Sequence, residues 1–158
     1  MACSEKAVFV PGVWGPHYNV LIPNLWLSAG GQSAAGKSID HVLQVHPAYP
    51  ELKQLAEEQS SSVFDVLNKI LAEMKSKYNV KNVSLLSGDL HLTIDFHGNR
   101  SPLSDADLGA AMTGLRFDTS LNNLAIQYLA VLQAVAYDSR HIIEAMTDAG
   151  HRFRAVQI

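Results

Sequence analysis

One long apolar stretch constrains the fold more than any other feature of the sequence. Residues 123–149 are rich in Ala and Leu, and Gly150 follows them. The stretch predicts a single helix of about 40 Å, at 1.5 Å per residue, with Gly150 at the left-handed position that ends a helix. Its apolar side chains fall on more than one face, so we expect this helix to lie at the centre of the structure.

Shorter apolar patterns predict further helices and strands. Apolar residues between positions 63 and 74 recur at helical spacing, and the serine run at residues 60–62 offers an N-cap. Pro50 can open a short helix, since proline is tolerated in the first turn. Residues 90–96 alternate apolar and polar side chains, which predicts a half-buried strand. The other predicted elements are strands at residues 7–10, 25–27 and 155–158 and a helix at residues 38–45.

Composition narrows the class of function. Of the 158 residues 47% are apolar, which is typical of a globular chain with a core, and the formal net charge is −3. This weak negative charge disfavours nucleic acid or a membrane surface as the main partner, so we expect neither. No apolar run approaches the roughly 20 residues of a membrane span, and Cys3 alone cannot form an intrachain disulfide. We therefore expect a cytoplasmic protein.

A glycine-rich segment matches a known phosphate-binding pattern. Residues 31–38, GQSAAGKS, fit G-x-x-x-x-G-K-[ST] at every position. In that motif backbone N–H groups cradle phosphates, the lysine reaches the terminal phosphates and the hydroxyl, here that of Ser38, binds Mg²⁺. A tight strand-to-helix turn also explains the glycines, so the pattern alone leaves both a nucleotide site and a structural turn open.

Two further groups of polar residues could carry chemistry. The side chains that share one face of the predicted strand are His91, Thr93, Asp95 and His97. Two histidines with a carboxylate can hold a metal ion, but we favour a polar strand face. Asp95 and Arg100 bracket a Gly-Asn turn, where an ion pair that fixes the loop is favoured over acid–base catalysis. No residue has the surroundings of a catalytic nucleophile.

Several separate segments together resemble one protein family. They are VPGVWGP at residues 10–16, LWLSAGGQSAAGKSIDH at 25–41, DFHGNRSPLSD at 95–105, TGLRFD at 113–118, and YLAVLQAVAY with RHIIEAM and AGH at 128–151. In these motifs and in their order, the chain resembles the second domain of FGGY carbohydrate kinases over nearly its whole length. The motifs VWGP, GGQS and DFHGNRSP are most similar to the pentulose-kinase branch, close to D-ribulokinases.

The resemblance implies a fold, a reaction and cofactors. FGGY kinases have an actin-like ATPase fold, so we expect an α/β chain that forms a partial ribonuclease H-like domain around one long central helix. Such kinases transfer the γ-phosphoryl group of ATP to a sugar hydroxyl, here that of a keto-pentose such as ribulose. ATP, Mg²⁺ and the pentulose are therefore the implied ligands of the parent enzyme.

The resemblance also assigns the GGQS segment to a nucleotide site. Its implied nucleotide-binding residues are Gly31, Gln32, Gly36 and Asp40. Gly36 would approach the nucleotide, because glycine lets backbone come close to a ligand and a helix N-terminus favours anionic groups. Asp40, one helical turn later, would lie near the base or ribose. Lys37 is not required by the family and is expected to be solvated.

By the same resemblance, residues 1–158 are expected to be a partial kinase domain. The family's first domain carries the catalytic aspartate and most of the sugar site, and neither has a counterpart here. A phosphate turn would stand before Met1 and an adenine-binding turn after Ile158, and the family's acidic residue before GGQS is replaced by Ser28-Ala29. We therefore expect the N-terminal sugar-binding domain and the final strands to be absent. We also expect no catalytic and no metal-binding residue, and a chain that is inactive alone.

Two alternatives stay open at this point. The chain could be a non-catalytic fragment or pseudoenzyme that acts by association, including self-association through apolar surface and an open strand edge. It could also be an authentic phosphate-loop NTPase, in which Asp95, directly after the apolar Ile94, would be the Mg²⁺ partner.

Overall fold

The computed structural model describes residues 1–153, which fall into two compact units. The strand unit consists of residues 1–33 and 95–109 and of the chain from residue 136 onward. The helical unit consists of residues 34–94 and 110–135. The strand predicted at residues 155–158 lies outside the described residues.

Helices dominate the helical unit. They are α1 (Ala35–Val45), α2 (Tyr49–Glu58), α3 (Val63–Lys77), a 3₁₀ helix (Val83–Ser87) and the first half of α4 (Leu121–Asp148). Ser62 caps α3 by accepting a hydrogen bond from the Asp65 N–H at 3.1 Å, as the serine run predicts. Leu52, Leu67 and Leu124 are fully buried in one apolar core, which confirms the helical spacing read from the sequence.

A small antiparallel sheet organises the strand unit. Its strands are β1 (Ala2–Ser4), β2 (Trp14–Tyr18) and β3 (Trp26–Ala29), in the order β1-β3-β2. Ile142 and Met146, from the second half of α4, pack with Val10 and Val13 in its core. A two-stranded antiparallel sheet, β4 (His91–Leu92) with β5 (Met112–Thr113), belongs to the helical unit.

The long helix confirms its prediction to within two residues at each end. The structure begins α4 at Leu121 and ends it at Asp148. Gly150 adopts a φ of +110°, its N–H bonds the Thr147 carbonyl at 2.9 Å and the His151 N–H bonds the Met146 carbonyl at 3.0 Å. This pair of bonds is a Schellman motif, in which a left-handed glycine satisfies the last carbonyls of a helix. A mixed α/β fold with one long helix is therefore confirmed.

Two predicted strands are wrong or too long. Residues 7–10 form no strand, because Val8 and Val10 are held by packing in the core of the strand unit and not by ladder hydrogen bonds. Of the strand predicted at residues 90–96 only His91–Leu92 is a strand. Beyond it Thr93 bonds Ala111 through both its N–H and its hydroxyl. Between residues 90 and 94 the alternating polarity predicted correctly which side chains are buried, but burial alone does not pair strands.

Among residues 1–153, no helix has both the length and the apolarity that crossing a membrane requires.

Candidate functional site

Residues 30–40, which begin with the GGQS motif, run along the chain from the strand unit into the helical unit. Gly31 and Gln32 belong to the strand unit, whereas Gly36 and Asp40 belong to the helical unit. Because α1 begins at Ala35, Gly36 is its second residue, and Asp40 is exposed one turn further along.

Neither glycine of the pattern is required by the fold of the described residues. A Cβ built on Gly31 or on Gly36 meets no heavy atom within 4 Å. Both residues also avoid the positive φ that favours glycine at five other positions in the described chain. Alanine in place of glycine, where the backbone conformation and the space allow it, stabilises a protein by about 0.4–1 kcal/mol. The packing explanation for these two glycines therefore fails, and the space above their backbone is open.

The start of α1 presents backbone donors. The first N–H groups of a helix have no partner within it, and the N-cap residue Ala34 has no side chain that could accept from them. The first turn contains no acidic residue. The helix dipole therefore acts at this end without a compensating carboxylate, which is an arrangement that favours an anionic group.

The serine of the pattern is not placed as a phosphate loop requires. Ser38 is 2% exposed, and its hydroxyl donates a hydrogen bond to the Ala34 carbonyl at 2.9 Å. In a phosphate loop this hydroxyl binds Mg²⁺. The preceding strand β3 is antiparallel to both of its neighbours, whereas the strand of a βαβ unit lies in a parallel sheet. The geometry disfavours the phosphate-loop NTPase interpretation.

Gln32 joins a polar cluster in the strand unit. Its amide donates to Ser139 Oγ at 3.0 Å and lowers the pKa of the nearby Asp138 carboxyl. Asn99 donates to Asp95 Oδ1 at 2.9 Å and also lowers the pKa of Asp138. Three segments of the family resemblance therefore meet around Asp138: GGQS, DFHGNRSP and the long helix.

The Asp138 carboxyl of this cluster is partly buried and lies near a second carboxylate, that of Asp95. Burial raises the pKa of Asp138 above its ordinary value, and the negative charge of Asp95 raises it further. His141 and the hydrogen bonds from Asn99 and Gln32 act in the opposite direction. Two carboxylates held together by amides can bind hydroxyl groups or exchange a proton, so this cluster is a second candidate site.

The expected Asp95–Arg100 ion pair does not form. Asp95 pairs with Asn99, and the Arg100 guanidinium lies 4.2 Å above the ring centroid of Trp14. The amide side chain is closer to Asp95 because the Gly98 turn folds the chain back and buries Asn99.

The possible histidine metal site is not assembled. His91 lies in β4 of the helical unit, whereas Asp95 and His97 follow the end of that strand and belong to the strand unit. Within residues 1–153 no group of three or more His, Cys, Asp or Glu side chains is placed to hold a metal ion.

A cavity of about 540 Å³ lies in the helical unit, beside the TGLRFD motif. Gly114, Arg116 and Asp118 line it together with the apolar Leu86 and Ile126. The Arg116–Asp89 ion pair, 3.1 Å long and highly exposed, is part of its rim and contributes little stability. Its volume is within the range of small-molecule sites.

Ser28, two residues before the GGQS motif, is buried and in contact with a histidine. Ser28, for which the resemblance implies an acidic residue in the family, is 2% exposed, and its Oγ lies 3.1 Å from Nε2 of the buried His151. Burial lowers the pKa of His151. Ser28 and His151 are both buried in the strand unit, and neither is a carboxylate.

Comparison with known proteins gives the family. The model of the FGGY family of carbohydrate kinases, C-terminal domain, matches residues 1–158. An FGGY carbohydrate kinase domain-containing protein of Xenopus laevis is 46% identical over 158 residues, which are 100% of this chain and 28% of the relative. Its counterpart of the same name in Homo sapiens is 48% identical over 151 residues, covering 96% of this chain and 27% of the relative.

A relative with a more specific name is also similar. A D-ribulokinase of Saccharomyces cerevisiae is 39% identical over 153 residues, 97% of this chain and 21% of the relative. The chain thus spans between about a fifth and just over a quarter of the length of these three relatives. The chain belongs to the FGGY family of carbohydrate kinases, and it matches the C-terminal domain of that family.

Sequence reasoning missed the centre of the polar cluster. Asp138 lies in the long helix, where its neighbours in sequence suggest only a core element. One signal was present: Asp138 and His141 are three residues apart, and such residues share a helix face. The partners Gln32 and Asn99 are more than 30 residues away along the chain, so only the fold brings them together.

Proposed function

We propose that this chain is the nucleotide-side part of an ATP-dependent carbohydrate kinase with an actin-like ATPase fold. Gly31, Gln32, Gly36 and Asp40 line the nucleotide in this proposal. The observation that carries it is the open space above Gly31 and Gly36, two glycines that the described residues do not need for folding. Family membership supports ATP as the nucleotide.

The residues present fit a nucleotide phosphate. The uncapped start of α1 offers backbone N–H donors, and Gly36 lets a phosphate or ribose come within contact distance of the backbone. Asp40 accepts hydrogen bonds from the base or ribose one turn later. Mg²⁺, when bound to the nucleotide phosphates, would neutralise their charge.

The proposed sugar substrate of the whole enzyme is a keto-pentose such as ribulose. The name of the yeast relative supports this choice, and a ribulokinase of Staphylococcus aureus is 31% identical over 146 residues. The enzyme would transfer the γ-phosphoryl group of ATP to a sugar hydroxyl by positioning and charge neutralisation between closed domains. The catalytic aspartate and most of the sugar site belong, in this proposal, to an N-terminal domain outside these 158 residues.

Calorimetric titration with ATP tests the nucleotide site. Gly36→Val places a branched side chain where the ligand would lie, so ATP binding should disappear. Lys37→Ala is the matched control, because its side chain is exposed at the next position, and ATP affinity should change little. A large loss with Lys37→Ala and none with Gly36→Val would restore the phosphate-loop interpretation.

A coupled assay of ADP release tests whether this chain by itself catalyses phosphoryl transfer. The chain alone should show no ribulose-dependent turnover, because the proton of the sugar hydroxyl has no assigned acceptor here. Turnover that survives repurification would contradict this part of the proposal.

Self-association is a second candidate role, and one observation favours it. Val20, Leu21 and Ile22, three consecutive apolar residues in the β2–β3 connection, are 66%, 53% and 45% exposed. Light scattering across a range of concentrations should detect association, and Leu21→Lys should weaken it. A monomer at every concentration would remove this candidate.

A further inference from the structure

The loop from Asp95 to Asp105 is closed by hydrogen bonds along its whole length. The Asn99 and Asp105 backbones exchange two of them, at 2.7 and 2.9 Å. The Asn99 side chain adds one to Asp95 and one from the Leu103 N–H at 3.0 Å. Asn99 is 6% exposed, so these bonds are shielded from water. The loop therefore has one well-defined conformation.

A second set of contacts fastens this loop to the chain before β2. The buried Ser101 donates from its hydroxyl to the Gly12 carbonyl at 2.8 Å. Gly12 has a φ of +72°, and a Cβ there would lie 1.7 Å from the Pro102 carbonyl oxygen. Only glycine allows so close an approach. The two loops are locked together within the strand unit.

Arg100 is exposed between two buried and hydrogen-bonded neighbours, Asn99 and Ser101. Its guanidinium stacks on Trp14, the first residue of β2, which is itself 61% exposed. Arg100 takes part in neither of the two ion pairs found among the described residues. A guanidinium whose face lies over an aromatic ring keeps the N–H groups at its edge for a ligand. A fixed backbone and a stacked side chain thus hold an arginine whose donors are available.

We propose that Arg100, oriented by Trp14, is a binding site for the phosphate group of a substrate or product. A planar guanidinium binds phosphate through two parallel hydrogen bonds, and the entropy of ordering its side chain has already been lost. The choice of phosphate over carboxylate rests on the proposed kinase function. The source of the phosphate, a nucleotide or a sugar phosphate, is distinguished by the ligands of the test.

Fluorescence of Trp14 offers a local measurement. Trp26→Phe leaves Trp14 as the only tryptophan of the chain. This full-length background protein is titrated with inorganic phosphate, ADP and ribulose 5-phosphate, with adenosine and ribulose as ligands that lack phosphate. We expect saturable changes with phosphate ligands only, and the tightest of the three identifies the source. Calorimetry on the wild type with inorganic phosphate and ribulose 5-phosphate gives the affinities for these two ligands without the fluorescent reporter.

Three variants define the site. Arg100→Gln should weaken phosphate binding by about tenfold or more, because two charge-assisted hydrogen bonds are lost. Arg100→Lys keeps the charge but not the planar fork, so its loss should be smaller yet measurable. Arg140→Gln is the matched control, because this exposed arginine already pairs with Glu144 at 2.7 Å, and phosphate binding should be unchanged.

The outcomes separate this proposal from the nucleotide site. Phosphate binding that survives Gly36→Val but is lost in a folded Arg100→Gln belongs to Arg100, even if the nucleotide site fails its own test. Equal affinity in Arg100→Gln and wild type would overturn the proposal, and so would the absence of any phosphate-dependent signal at millimolar concentrations. Thermal melts of each variant confirm that it is folded.

Discussion

Different kinds of internal contact stabilise the strand unit and the helical unit. The helical unit buries Leu52, Leu67 and Leu124 completely among neighbouring helices. The strand unit has a small apolar core, and its loops are joined by hydrogen bonds such as Asn99–Asp95 and Ser101–Gly12. Apolar burial tolerates small shifts of geometry, whereas a buried hydrogen bond that loses its partner leaves a costly polar group. The two units should therefore respond differently to substitution.

The largest expected effect is in the core of the helical unit. Leu67→Ala should lower the free energy of unfolding by about 2–5 kcal/mol, because it leaves a cavity among packed helices. Ile142→Ala is the counterpart in the strand unit and should fall near the lower end of that range, since Ile142 is 8% exposed and its cluster is smaller. Urea denaturation measures both. A greater cost for Ile142→Ala would reverse the comparison.

Substitution of a polar residue should cost more stability in the strand unit than in the helical unit. Asn99→Ala should cost about 1–3 kcal/mol, because the Leu103 N–H and the Asp95 carboxylate lose their partner. Asn122→Ala, at an exposed position of the helical unit, is the control and should change stability by less than about 0.5 kcal/mol. Equal costs in urea denaturation would show that the hydrogen bonds of the strand unit are not its main support.

The difference between the two units also explains which of their elements could be predicted from the sequence. Helical spacing, the Ser62 cap and Gly150 define elements within one stretch of chain, and α3 and α4 were predicted with nearly correct ends. The strand unit depends on partners such as Gln32 and Asp138, which are far apart in sequence, and no local pattern encodes their pairing. Of residues 7–10 only Val8 and Val10 pack in the core, and a short apolar run of this kind looks like a strand in the sequence. Asn99, the true partner of Asp95, was overlooked because charge complementarity pointed to Arg100.

The carboxylates of the two units should contribute to stability with opposite dependence on pH. The pKa of Asp138 is raised by burial and by Asp95, against the effect of His141. The folded state therefore binds this proton more tightly than the unfolded state. The contribution of Asp138 to stability is full below its ordinary pKa of 3.8 and is lost as the pH rises through the higher folded value. Relative to Asp138→Asn, the wild type should thus become less stable as the pH increases above about 4.

Asp65 in the helical unit is the control for this measurement. Hydrogen bonds from Ser62 lower the pKa of Asp65, so its contribution is present above 3.8 and is lost as the pH falls below that value. Denaturation of wild type, Asp138→Asn and Asp65→Asn at several pH values gives both profiles. Two profiles of the same sign would contradict the electrostatic difference between the units.

The proposed nucleotide site depends on two glycines that the described fold does not need, and Gly36→Ala tests this proposal most directly. Because a methyl group at this helical position meets no neighbour, the variant should gain about 0.5–1 kcal/mol of stability. The same methyl group should weaken ATP binding, because it occupies the space through which the nucleotide approaches the backbone. We predict a higher melting temperature together with a lower affinity for ATP in calorimetric titration. A lower melting temperature, or an unchanged affinity for ATP, would contradict the account.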